Sequence, residues 1–371
     1  MADTPPTPRD PDAGYDSFGR KLKLGLERVL AGPKQAARSV ARQSELLSDM
    51  YYAVVQRSFS REHRAVLHGI YTYQRLELAG AANRWLLRRN THRLEKGLLM
   101  RPRRPVFALK YIEETIDAYE RYLESWLASR GDDGELRWAH DVLAEYFAVC
   151  GPNELVDRMR ERFAALPAIP EQPSPKSIPY KRQLEGPLPV DYDAFYKLAK
   201  RRRSVRWFLP KPVPRELVDK AILAAVEAPS ACNRQPFQFR LYDDPEMVQK
   251  LIALPAGTKG WGPNAPIVVV LVGQLRAYFD PRDRHLPYID GSLAAMGLML
   301  ALETVGLSSV PVNWPDVASR EKKLAKLLDL EPDQRAIMFM AIGYPDPDGM
   351  VAFSHKQHLD RLRVWNSGVD A

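Results

Sequence analysis

Cysteine is nearly absent. The 371-residue chain holds two, Cys150 and Cys232, in separate regions. That excludes a disulfide framework and a cysteine-based metal cluster, so no metal is expected, and it fits a reducing compartment. Long apolar runs are missing too. The longest, APIVVVLVG (265–273) and LAAMGLMLAL (293–302), are too short for a membrane-spanning helix, which needs about 20 residues. The opening MADTPPTPRDPDAGYDSFG is acidic and proline-rich. It lacks the basic start and apolar run of a secretory signal. The expectation is a cytoplasmic protein without a transmembrane segment.

What is present is the balance of a soluble globular protein, 45% hydrophobic and 27% charged. The length favours two domains. The net charge is +8, and between Tyr51 and Arg104 stand 12 Lys/Arg against 3 Asp/Glu. That segment alone outweighs the excess of the whole chain. Such a patch suits nucleic acid, anionic lipid or an acidic partner, but also an ordinary solvated helix face with arginines lying over apolar surface.

Residues 1–15 read as a disordered N-terminus. Residues 16–165 read as an all-α accessory domain, with no strand pattern and no repeat. Its segments are an apolar-periodic stretch at 62–100, ended by RPRRP (101–105), an amphipathic helix at 105–127, and shorter helices at 135–149 and 153–165. In the helix at 105–127, Leu109, Ile112, Ile116, Tyr119, Leu123 and Leu127 share a face. Seven prolines between Pro167 and Pro189 make 166–190 an extended linker. Residues 191–371 then alternate. Helices are expected at 192–203, 214–228, 245–253, 288–306 and 319–329, and strands at 236–242, 266–272, near 308–312 and at 335–342. This rhythm defines a layered α/β or α+β domain. The helix at 288–306 is apolar or small on nearly every side, so it belongs inside the domain or in a subunit interface.

Chemistry concentrates in two places. The first is RRRSVRWF (201–208), four guanidiniums and a hydroxyl, a set that pairs well with phosphate. The second is APSACNRQPFQF (228–239), where Pro229 and Ser230 end a helix and Asn233, Gln235 and Pro236 turn into a strand. An amide offers both donor and acceptor to a heteroatom-bearing ring. Together they suggest a phosphorylated heterocycle. A solvated helix end and a left-handed, helix-terminating asparagine are the blander alternatives. Cys232 has no general base placed beside it and reads as a small packing residue. HRLEKGL (92–98) reads as a helix end with Gly97 as its cap, or as an anion site using His92, Arg93 and Lys96. GTKGWG (257–262) has the wrong spacing and context for a dinucleotide fingerprint.

These two segments, with APIVVVLVG, YIDGSLAAMGLMLALETVGLSSVPV (288–312) and AIGYP (341–345) in order, resemble the FMN-dependent nitroreductase family over about 190–366. The resemblance implies an α+β three-layer sandwich with a central, mainly antiparallel sheet, here preceded by the all-α domain. It implies a homodimer with FMN at the interface and the 288–306 helix at its centre. Arg202, Ser204 and Arg206 are then expected at the flavin phosphate and ribityl chain. Asn233 is expected at the ring edge, with Pro229, Ser230 and Gln235 shaping its loop. Pro311 and Asn313 fall in the segment beside flavin N5, where Asn313–Trp314 replaces a Glu–Gly pair common in relatives. Lys356 takes the position of a C-terminal basic residue at the phosphate, with His355 as competitor. No side chain is assigned as catalytic, because flavin N5 carries the hydride. The implied reaction is ping-pong reduction of an electron-poor small-molecule acceptor, with NAD(P)H as transient co-substrate. The alternatives are a flavin-dependent dehydrogenase or other biosynthetic redox enzyme not using NAD(P)H, dehalogenation among them, or a non-catalytic scaffold binding an anionic partner through 51–104. No nucleic-acid module is recognisable, which counts against nucleic acid.

Overall fold

The computed structural model describes residues 35–79, 81–170, 175–182, 186 and 188–366. The expected disordered stretch 1–15 and parts of the expected linker fall outside these residues. The described residues form two compact units, one up to Arg64 and one from Ala65 onward. In the first, α1 (Glu45–Met50) is capped by Ser44, whose hydroxyl accepts from the Leu47 N–H at 3.2 Å, and a π-helical turn (Tyr51–Gln56) follows.

Helix α2 (Ser60–Leu78) leads into the second unit. The periodic stretch at 62–100 divides into two helices, because Asn83 caps α3 (Arg84–Leu98) by accepting from the Trp85 and Leu86 N–H groups. The helix expected from 105 starts later, as α4 (Ile112–Ser129). Ala108 takes a left-handed φ of 65°, and the Phe107 carbonyl is held by the Tyr146 hydroxyl at 2.9 Å, so the segment before Ile112 turns instead of winding. Helices α5 (Gly134–Val149) and α6 (Glu154–Ala164) complete this part, around a core that includes Leu94, Ile116, Tyr119, Leu143 and Tyr146.

The remaining elements are α7 (Tyr192–Arg201), α8 (Arg215–Ala225), β1 (Phe237–Tyr242), α9 (Pro245–Ile252), β2 (Ile267–Gln274), α10 (Leu286–Thr304), β3 (Ser308–Asn313), α11 (Ala318–Leu328), β4 (Gln334–Gly343) and α12 (Leu359–Leu362). The four strands form one antiparallel sheet in the order β1-β2-β4-β3. Strand β2 is apolar at every position from Ile267 to Val272 because both faces are covered. Val268, Val270 and Val272 pack with α9 and α11, while Ile267, Val269 and Leu271 pack with α8 and α10. This is the expected α+β three-layer sandwich, with a helical part before it. Helix α10 buries Asp290, Gly291, Ala294, Leu298 and Leu302 within the sandwich. Its other side leaves Ile289, Leu293 and Met296 exposed one helical turn apart. Among the described residues no helix is long and apolar enough to cross a membrane.

Candidate functional site

The four arginines after α7 have different fates. Arg201 is an exposed partner of buried Glu303, at 3.3 Å. Arg202 ends the helix and turns inward, and its Nε is buried without a hydrogen-bond partner. Arg203 is half-buried, and Arg206 is exposed with Nη1 3.4 Å from the Ser204 carbonyl. The chain then runs along the free edge of β3. Ser204 bridges Ser309 in parallel, and the Val205 N–H donates to the Ser309 carbonyl at 3.1 Å. The Ser309 hydroxyl is also buried without a partner. Of the seven buried side-chain polar atoms without a hydrogen-bond partner among the described residues, two, the Arg202 Nε and the Ser309 hydroxyl, lie at or next to this bridge, and a third, Arg234 Nε, stands in the loop before β1. Buried polar atoms without partners are rare in folded proteins, and each calls for a ligand, a water or an ion. Asn264 holds this segment, accepting from the Phe208 N–H at 2.7 Å and donating to the Arg206 carbonyl at 2.8 Å.

Pro311 and Asn313 lie further along β3. Proline is tolerated there because β3 is an edge strand. Asn313 is exposed at the strand end. Trp314 is not: it is buried, its ring 4.9 Å from that of Phe339, and its indole N–H donates to Glu321. The Asn–Trp replacement therefore puts an amide at the edge and an indole in the core.

The second group sits before β1. Helix α8 ends at Ala225, short of Pro229, and a 3-10 turn (Ala231–Asn233) follows. Cys232, Asn233 and Gln235 have φ of 53°, 49° and 50°. Asn233 is left-handed as the bland alternative required, but it stands beyond the helix end and does not cap it. The Gln235 N–H donates to the Ser230 hydroxyl at 3.0 Å, and the Ala231 N–H to the Asp290 carboxylate at 2.9 Å. Burial pushes the Asp290 carboxyl above its ordinary range, although the Ala231 N–H and the Tyr278 hydroxyl oppose the shift. Arg234 is buried, with its guanidinium 4.6 Å from the Tyr278 ring centre.

Within one chain the two groups lie at diagonal sheet corners. Ser309 pairs with Ile342 at the end of β4, whereas Phe237 pairs through Gly273 with Arg335 at its start. They stand three strand spacings apart, roughly 14 Å, and about 20 Å along the strands. Lys356 and His355 are on an exposed irregular segment, His355 stacked on Phe353. In HRLEKGL, Lys96 is in the last turn, but Gly97 is helical. It is glycine because the Phe107 ring occupies the place of a side chain. His92 Nδ1 lies 3.2 Å from Glu95, which also accepts from the Trp138 indole at 2.9 Å.

Asp290, Ser309 and Asn264 support the site without having been picked out from the sequence. Asp290 and Ser309 lie inside quoted segments, but nothing local distinguishes them. His68, Glu331 and Asp333 lie close enough together to hold a metal ion. Arg276 already fills that position, both of its contacts to Asp333 being 2.6 Å. A cleft of about 250 Å³ between α8 and β1, with Arg215, Asp219 and Asp243 in its lining, includes none of the expected site residues.

A buried antiparallel sheet between helix layers, with an arginine–serine corner and an amide-bearing loop, defines the class: an α+β sandwich whose described strands are all antiparallel, without a parallel βαβ crevice. The chain belongs to the nitroreductase family, whose model (Nitroreductase family) matches residues 199–258 and 245–344. An NADH dehydrogenase of Thermus thermophilus is 30% identical over 213 residues, 49% of this chain and 100% of that protein. Iodotyrosine deiodinase 1 of Pongo abelii is 26% identical over 198 residues, 46% of this chain and 68% of that protein. A solved FMN-dependent nitroreductase from Clostridium difficile is 24% identical with a TM-score of 0.37, covering 42% of this chain and 91% of that one. This chain is accordingly a nitroreductase-family oxidoreductase.

Proposed function

We propose that the protein is an FMN-dependent enzyme that reduces an electron-poor organic acceptor with NAD(P)H, the two substrates using one slot in turn. The observation that carries the reading is the pair of orphaned buried groups, Ser309 Oγ in the Ser204–Ser309 bridge and Arg202 Nε two residues before it. An anionic phosphate supplies the acceptors these donors lack. Arg202 and Ser204 would hold the phosphate and ribityl chain, with Arg206 and Lys356 closing from the exposed side. Asn233 would present its amide to the ring edge, in the loop shaped by Pro229, Ser230 and Gln235. Pro311 and Asn313 would line the ring beside the sheet edge. When bound, FMN supplies the hydride chemistry, and the chain supplies anchoring, orientation and site shape.

The diagonal separation of the two groups exceeds the reach of one flavin mononucleotide. A homodimer packed through α10 answers this, with one subunit's Arg202 corner facing its partner's loop. The exposed stripe Ile289, Leu293 and Met296 supplies the apolar contact. The helical residues 65–165 are read as an accessory layer that restricts the acceptor. Reductive dehalogenation of an aromatic acceptor is the second reading, favoured by the likeness to iodotyrosine deiodinase 1. The test is the visible spectrum of the purified protein with identification of released chromophore, then turnover of nitroaromatic and iodotyrosine substrates with and without NAD(P)H. A colourless protein that takes up no FMN would overturn the proposal.

A further inference from the structure

We infer that Arg88, on helix α3 and outside the family-matched residues, is a positioning residue for the Asn233 loop. Helix α3 packs directly on the turn Ala231–Asn233. Arg88 Nε donates to the Asn233 carbonyl at 2.7 Å. The loop holds three non-glycine residues in left-handed conformations, Cys232, Asn233 and Gln235. Such residues persist only where the surroundings over-determine them. Two anchors from outside the loop, Asp290 and Arg88, and one within it, Ser230, do so here. Asp290 takes the Ala231 N–H, Ser230 takes the Gln235 N–H, and Arg88 takes the Asn233 carbonyl. The first two come from the sandwich. The third comes from the helical part.

Arg88 is itself held on several sides. It is 9% exposed, its guanidinium lies 5.3 Å from the Trp138 ring centre, and Nη1 is 3.5 Å from the Glu135 carboxylate. Burial lowers the pKa of this guanidinium, and Glu135 opposes that shift. Packing alone does not explain a buried cation here, since an apolar residue would fill the position without desolvating a charge. Only a guanidinium can donate through Nε, face a carboxylate with another nitrogen and lie over an indole ring at once. Fixing the Asn233 carbonyl fixes its backbone and so the Cα–Cβ direction from which the side-chain amide, proposed for the ring edge, is presented. The helical part therefore sets the ring end of the site, while the phosphate end depends on Arg202 and Ser204. The inference rests on the flavin reading only for the identity of the ligand.

The test uses the full chain with Arg88→Lys, Arg88→Gln and, as a control on the far side of the guanidinium, Glu135→Gln. Hydrogen exchange of the 229–237 backbone is followed in the flavin-free protein, with the β2 segment 267–274 as an internal standard for global stability. The expected result is exchange at 231–235 about tenfold faster in both Arg88 variants, β2 exchange unchanged, and a smaller effect in Glu135→Gln. In the FMN-loaded protein, Arg88→Lys is expected to show about tenfold weaker FMN binding and a shifted midpoint potential, because the positive charge alone does not restore the fork. Exchange at 231–235 that stays at the wild-type rate in a folded Arg88→Gln protein overturns the inference, whether or not flavin binds. A wild-type protein that takes up no FMN overturns the flavin reading alone, and the exchange measurement still decides the role of Arg88.

Discussion

Ser309 stands across a parallel bridge from Ser204, and its buried hydroxyl has no partner. A group in that condition is a net cost to the empty protein, since it is desolvated without a compensating hydrogen bond. Ser309→Ala should therefore leave the flavin-free protein as stable as wild type or slightly more so, while weakening FMN several-fold. Arg202→Ala should weaken FMN more, by about 10- to 100-fold, from a charge-assisted contact of roughly 1.5–3 kcal/mol. Thermal melts with and without added FMN measure both effects, because a ligand that binds only the folded state raises its stability. A Ser309→Ala protein destabilised only in its flavin-free form would contradict this role.

Trp314 belongs to the core with Phe339. Trp314→Ala should cost about 3–5 kcal/mol of stability, read by denaturant titration. Asn313→Ala, at the exposed strand end, should leave stability within about 0.5 kcal/mol and instead change turnover. The reverse pattern would mean that the indole, not the amide, faces the substrate.

Gly97 sits in a helix with the Phe107 ring in the place of its side chain. Gly97→Ala should destabilise by about 1–3 kcal/mol through overpacking, despite the better helix propensity of alanine. Pairing it with Phe107→Leu should recover part of the loss, which a double-mutant cycle would show.

Acid should weaken one specific cluster. Burial alone would raise the Asp333 carboxyl, but the Arg276 fork and His68, 2.9 Å away, outweigh it and hold it below its ordinary value. A depressed folded value means the unfolded chain binds the proton first as pH falls. The contribution is complete above the unfolded carboxylate value of about 3.9 and is lost as pH drops through the lower folded value. Asp333→Asn should cost about 3 kcal/mol near neutral pH, and its gap from wild type should close below about pH 4. A gap that stays constant to low pH would remove the ion pair from this account.

The sandwich was legible because its signals are local. The apolar run of β2, the Pro-led start of α9 at Asp244–Pro245 and the all-round apolar α10 gave boundaries within a few residues. The residues RRSVR and the Asn233 loop were legible as candidates for chemistry. The break at Asn83 was not, since it interrupts a continuing apolar period. The late start of α4 depends on a left-handed Ala108 that no residue type announces. Gly97 looked like a cap because its reason, the Phe107 ring, comes from another segment. Arg88 was hidden for the same cause, its partner being 145 positions away. The diagonal placement of the two site groups needed the sheet order, which no motif encodes.

In the proposed homodimer, one flavin site takes its Arg202 corner from one subunit and its Asn233 loop from the other. The direct measurement is co-expression of two differently tagged chains, Arg202→Ala and Asn233→Ala, with purification of the mixed dimer and quantification of bound FMN. The mixed dimer pairs one wild-type corner with one wild-type loop, so the account predicts flavin near half the wild-type content, with each single-variant homodimer near zero. A mixed dimer as empty as both homodimers would contradict it, placing the two groups in the same subunit's site.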